Sequence, residues 1–392
     1  MSGETTTEPT TAQATGRPHW GVFTLICLAY LVSTAGEQLL SPLFPTTRDD
    51  LGLTVGQGGI AFGLLTVSIA VMNLVGGAAL RRIRPVVLIR WSSVIGAGGA
   101  ALTALAPGYA VLLVGQVLLG SAAGLFFPAG LQSVGLTAGP ARRGFAMGLY
   151  GVAFSLGLTM AAVLGSVGAG VGWRLPFWIA VMLFAVAAVS TLWMKVPAPA
   201  TTAHLDKVPV REVLSLPTAV GTVLAILQYG AVPFLATFAV EEWGITAASA
   251  ASVLVAGRLL SIVAKVVGGM SADRVGARTS ARRTGLLLTA TGLAWVLLPG
   301  GWPTYAIAAV FAGSVSSLGP VANTLAVERF GQNGMALGMY RSVQIALGAV
   351  ASAMVGLIAE RTGLRPTLAV SMLVPLALLW ICRTPRRSQP ER

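Results

Sequence analysis

Twelve runs of about 20 apolar residues follow one another along this chain, separated by short polar loops, and they limit its fold more than any motif does. Inside hydrocarbon every backbone N–H and C=O must be paired within the protein, which leaves only helices and closed barrels. Runs this long predict helices, at 20–44, 55–80, 85–106, 108–136, 145–168, 173–195, 217–240, 247–271, 283–300, 302–326, 333–358 and 365–382. The expected fold class is therefore an all-α membrane protein with twelve transmembrane helices. Charged residues make up 10% of the chain, against about 25% in a soluble domain. The net charge of +13 does not point to nucleic acid, because the basic residues punctuate apolar runs instead of clustering on one domain. Residues 1–18, rich in Thr, read as a disordered tail; the apolar run that follows is too long for a signal peptide.

The basic residues set the orientation. With the N-terminus in the cytoplasm, nineteen Lys and Arg fall on the inner side, four (Arg48, Arg174, Arg361, Arg365) on the outer side, and three (Arg258, Lys265, Arg341) within spans. The positive-inside bias then places both termini in the cytoplasm of a multi-pass cell-membrane protein.

The chain also repeats itself. VGGAALRRIRP at 75–85 returns as VGGMSADRVG at 267–276, AMGLYG at 146–151 as ALGMYR at 336–341, and Pro128 as Pro320. Offsets of 190 to 193 residues imply one ancestral unit present twice. The reading divides the chain into a six-helix half at 19–195, a cytoplasmic linker at 196–216, a second half at 217–383 and a tail at 384–392. In a membrane protein, two pseudo-symmetric halves with a binding site between them are the layout of a carrier.

These motifs resemble the major facilitator superfamily from about residue 20 to the end of the chain. The family's loop signature between its second and third spans, roughly G-x-x-x-D-R-x-G-R-R, is carried in the second half by Gly269, Asp273, Arg274, Gly276 and Arg278. The first half keeps Gly77 and Arg82 but has Arg81 in place of the acid and Arg84 in place of the second glycine. The resemblance implies a loop that latches the cytoplasmic side, with Asp273 capping the start of span five near Arg142 and Arg143. Where the family usually has Arg in span four, four residues before a glycine, this chain has Gln116 before Gly120. The spacing of the antiporter pattern in span five survives as Gly148, Gly157, Ala161, Ala162, Gly165 and Ser166, but its Gly-Pro pair does not, and small residues so spaced are read first as close helix packing. The resemblance also implies a monomer in contact with lipid.

Ionisable residues within spans are costly and usually functional. Arg258 and Arg341 are read as cations converging on a central cavity, where a planar guanidinium would hold an anionic substrate. The alternative for Arg258 is a structural bond to Glu37 or to backbone carbonyls. Lys265 is read as snorkelling to the cytoplasmic surface, with a ligand role as the alternative. Glu37 is the candidate for proton coupling, since low dielectric favours the neutral carboxyl; a permanent salt bridge, or a mouth position if span one ends at Pro42, is the other reading. Gln116, Gln228, Asn323, Tyr340 and Gln344 complete the expected substrate-binding set, each also able to serve as an interhelical hydrogen bond.

No P-loop, nucleophile elbow or intramembrane histidine is present, so ATP hydrolysis, acyl transfer and a membrane zinc or haem site are not expected. The reading is a non-enzymatic secondary transporter with no cofactor and no nucleic-acid partner. It would take a small organic anion or amphiphilic metabolite, driven by protons or another ion. A multidrug or biosynthetic-product exporter for lipophilic or cationic compounds is the alternative, and a non-transporting receptor the second one.

Overall fold

A computed structural model describes residues 20–80, 82–137, 143–196, 214–330 and 334–383. Helices run through almost all of these residues, with no strand among them. We number the transmembrane helices α1 (Trp20–Leu51), α2 (Val55–Ala79), α3 (Pro85–Ala104), α4 (Tyr109–Thr137), α5 (Arg143–Val171) and α6 (Arg174–Ser190) in the first half. The second half holds α7 (Leu216–Trp243), α8 (Ala247–Val275), α9 (Ala277–Leu297), α10 (Trp302–Phe330), α11 (Gly334–Thr362) and α12 (Leu364–Ile381). Ten are long and apolar enough to cross a membrane by themselves; α6 is shorter, at 17 residues, and α9 begins with a basic turn.

Two boundaries differ from the sequence reading for definable reasons. Helix α1 does not stop at Pro42 but bends at Leu39 and continues to Leu51. Pro42 sits in the first turn of the new segment, where a missing N–H goes unnoticed. Helix α9 starts six residues earlier than read from hydropathy, because Arg278, Arg282 and Arg283 all point to water and cost the helix nothing. The turn before it needs Gly276, whose φ of 83° suits a residue without Cβ. The first half makes the equivalent turn with Arg84 in extended backbone (φ −62°, ψ 139°) ahead of Pro85, so its departure from the glycine pattern has a local solution.

The repeat is visible in three dimensions. Thr54 and Thr246, 192 residues apart, cap α2 and α8 by accepting hydrogen bonds from the backbone of Gln57 (3.1 Å) and Ser249 (3.2 Å). Within each half, glycines let helices touch: Gly120 and Gly124 of α4 meet the α2 backbone, and Gly99 of α3 meets Gly115 of α4. The span-five series packs the same way. Gly157 lies against Leu31 and Thr34 of α1, and Gly165 against Pro42.

The two halves meet at the end of the bundle away from the basic loops. Gly59 of α2 lies against Gly356 of α11, and Ser166 of α5 bonds to Ser252 and to the Ala248 carbonyl of α8. Ser41 donates to the Pro233 carbonyl at 3.2 Å, joining residues that the repeat makes equivalent. Arg48 of α1 pairs with Glu241 of α7. At the basic end the halves diverge, and a cavity opens between them.

Candidate functional site

The cavity has a volume of about 540 Å³ and is lined by the basic-end portions of α1, α4 and α5 on one side and α7, α8, α10 and α11 on the other. Its first-half wall is aromatic. Tyr30 is stacked between Tyr150 (centroids 4.1 Å apart) and Phe126 (5.5 Å), with Phe154 at 5.7 Å and Phe127 at 6.4 Å. The second-half wall is polar, presenting Gln228, Tyr229, Lys265, Asn323, Arg341 and Gln344.

Local backbone geometry places several of these groups. Helix α7 widens into a π-helical segment, Ile226–Ala231, followed by a 3-10 turn at Val232–Phe234 that carries Pro233. The extra residue per turn and the proline re-aim Gln228 and Tyr229 toward the cavity, a use to which π segments are often put. Gln344 crowds Gly221 of α7 so closely that a Cβ there would collide with its amide.

Two cations face this space without a carboxylate partner. Lys265 Nζ donates to Ser155 Oγ at 2.7 Å and lies 4.8 Å from the Phe154 ring centre. The Arg341 guanidinium lies 5.0 Å from the Phe127 ring centre. Among the described residues, the cavity lining contains no Asp or Glu. A second, deeper chamber of about 30 Å³, room for a water or two, joins Arg341 to Glu37, Asn73, Ser33, Thr34 and Tyr229. Glu37 shares this chamber with Arg341, and no ion pair closer than 4.0 Å joins it to Arg341 or Arg258 among the described residues.

Twelve helices in two repeated halves around such a cavity narrow the possibilities, and sequence comparison decides among them. A family model described as Major Facilitator Superfamily matches residues 26–218 and again 218–392. The chain belongs to the major facilitator superfamily. It is similar to a hexuronate transporter of Bacillus subtilis, with 25% identity over 292 residues, 68% of this chain and 67% of the relative. It is also similar to a chloramphenicol resistance protein of Streptomyces lividans, with 30% identity over 386 residues, 91% and 94% of the two chains. Among solved structures, an inward-facing, occupied bacterial homologue of the human lysosomal transporter Spinster shares the fold, with a TM-score of 0.78 at 16% identity over 94% of this chain and 96% of that one. The protein is thus a multi-pass membrane transporter of this superfamily.

The structure brings Arg341, Gln228, Asn323 and Gln344 to one cavity and puts Glu37 in the chamber beneath it. It separates the other residues singled out in the sequence. Arg258 lines neither space; it is buried between the halves, where Nη2 donates to Gln38 Oε1 at 3.4 Å and Nη1 has no partner. Gln116 is fully buried against Thr103 of α3 (3.4 Å), and Tyr340 packs on Phe330; neither lines the cavity. In the superfamily loop, Asp273, Arg274, Gly276, Arg278, Gly77 and Arg82 are exposed, and a Cβ on Gly269 would meet Pro320 only at 3.8 Å, ordinary van der Waals contact. The partners expected for Asp273 lie at 142, outside the described residues, and at 143, whose side chain is also outside them. Lys265 is the main correction: it does not snorkel to the surface but turns into the cavity. The aromatic wall was also missed, because its members come from three helices and show no local pattern.

Proposed function

We propose that this transporter is a proton-coupled carrier of small organic anions, working by alternating access, with Arg341 and Lys265 holding the anionic substrate. The observation that carries this is a cavity wall with two cations and no carboxylate. Cations left unpaired in a low-dielectric space are costly, and a substrate anion is the group that would neutralise them. Gln228, Asn323 and Gln344 supply further donors and acceptors, while Tyr30, Phe127 and Phe154 receive the apolar part of the molecule. The likeness to a hexuronate transporter supports the reading, since a hexuronate is a carboxylate. The basic end of the bundle is the cytoplasmic one on the positive-inside rule, which makes this an inward-open state.

Glu37 is the proposed proton site. Ionised, it attracts Arg341 across the shared chamber; protonated, it leaves the guanidinium to the substrate. Proton and anion would then bind together, so substrate affinity rises as pH falls, and Glu37→Gln removes that dependence. Arg258 takes a different role in this scheme, fastening α8 to α1 at the closed end through Gln38.

The largely aromatic wall, and the likeness to a chloramphenicol resistance protein, favour a second reading as an exporter of lipophilic compounds. Thermal stability of the purified protein separates the two. Glucuronate and benzoate are compared with chloramphenicol and tetraphenylphosphonium, in wild type and in Arg341→Gln. A ligand at 100 times its Kd stabilises the folded state by about 2.7 kcal/mol. Stabilisation by the acids that is lost in the variant is the expected result; stabilisation by the lipophilic compounds alone, indifferent to Arg341, overturns it. Uptake of the stabilising compound into proteoliposomes distinguishes a carrier from a receptor.

A further inference from the structure

The two cavity cations are not arranged as one clamp. Arg341, from α11, covers Phe127 of α4, whereas Lys265, from α8, covers Phe154 of α5. Both phenylalanines pack near Tyr30, at 6.4 and 5.7 Å between ring centroids, so the two cations rest on different rings of one aromatic cluster. No Asp or Glu lines the cavity beside Lys265; Glu37 lies in the chamber beneath, with Arg341. A ring face and a hydroxyl carry no full negative charge and are weaker counterparts for a desolvated cation than a carboxylate. Each therefore holds its cation in a position from which a stronger partner can take it.

We infer that the substrate is a two-headed anion: two acid groups separated by an apolar segment, one bound by Arg341 and the other by Lys265. This rests on the organic-anion reading and narrows it. A single carboxylate satisfies one cation and leaves the other unpaired, which costs affinity. A compact dianionic head can reach both cations only by pulling them off separate rings toward one point. Two heads let each cation move a short way from its own ring. Binding also links the halves. The heads are held from α8 and α11, while the rings they uncover belong to α4 and α5. Ser155 loses its bond from Lys265 as the substrate takes that ammonium.

The test measures the affinity of the full-length protein in detergent for benzoate, terephthalate and phenyl phosphate at a pH where every acid group is ionised. It is repeated with Lys265→Gln and Lys265→Arg. Terephthalate is expected to bind about ten-fold or more tightly than benzoate, the scale of one added charge-assisted contact. Lys265→Gln is expected to bring the two acids level, and Lys265→Arg to restore the gap. That rescue separates a charge effect from a folding defect. Equal binding of benzoate and terephthalate to wild type, or a Lys265→Gln variant that keeps the gap, overturns the two-headed substrate and leaves the organic-anion reading standing. Phenyl phosphate binding more tightly than terephthalate overturns it in favour of a single dianionic head. No binding of any of the three acids, with lipophilic cations bound instead, overturns both.

Discussion

Gly59→Ala is expected to push the transporter out of the state open at its basic end. The seam between α2 and α11 is built on two glycines, and a Cβ on Gly59 would stand 2.7 Å from Gly356 Cα and 2.8 Å from the Ser352 carbonyl oxygen. Carbon atoms in contact sit roughly 3.5–4.0 Å apart, so the helices would have to part by about 1 Å. The obstructing atoms are backbone and cannot turn aside as a side chain would. Overpacking of this kind costs about 1–3 kcal/mol. That cost is confined to the state in which this end is closed, so it shifts the ratio of the two end states by roughly 5- to 150-fold. Two cysteine reporters read the shift in a background carrying Cys27→Ser and Cys382→Ser. Asn323→Cys reports the open basic end, and Ser41→Cys reports the sealed opposite end. In the Gly59→Ala protein, labelling at 323 by a membrane-impermeant maleimide should slow, and labelling at 41 from the other side should appear. Unchanged rates at both reporters in a folded, monodisperse variant would refute the argument that this seam holds the state.

Three further outcomes follow from the geometry. Removing Arg48 and Glu241 singly and together should yield a coupling energy below about 1 kcal/mol in the same labelling ratio, because the pair is partly exposed, at 29% and 35%. Gly221→Ala should weaken anion binding several-fold with little loss of thermal stability, because the collision is with the movable Gln344 amide, and an unaltered affinity would place Gln344 outside the site. Arg258→Gln should lower the melting temperature yet keep the preference for anions, since that guanidinium bonds Gln38 away from the cavity; loss of anion preference with unchanged stability would return it to the binding site.

Much of the fold was legible because its cause is local. A run of about 20 apolar residues must be helical in lipid whatever its neighbours do, and tandem identities at a constant offset carry the two-half plan directly. The site was legible only in part. Arg258 and Lys265 are two turns apart on one face of α8, and spacing alone gives them one fate. The structure divides them because the halves touch at the height of Arg258 and separate by the height of Lys265, so the same face is a seam at one level and a cavity wall at the next. Tyr340 and Arg341 are neighbours in sequence, and a helix sends them to different sides, one onto Phe330 and the other over Phe127.

What the chain determined by itself is therefore what depends on solvent and backbone: membrane insertion, helical spans, two repeated halves and the side that carries the arginines. Tertiary structure decided which intramembrane charges meet water. That depends on the distance between helices, which is set by glycine contacts such as Gly59 with Gly356 and by the aromatic stack around Tyr30. These contacts join residues hundreds of positions apart or on three different helices, and helical periodicity carries information only about neighbours on a single helix.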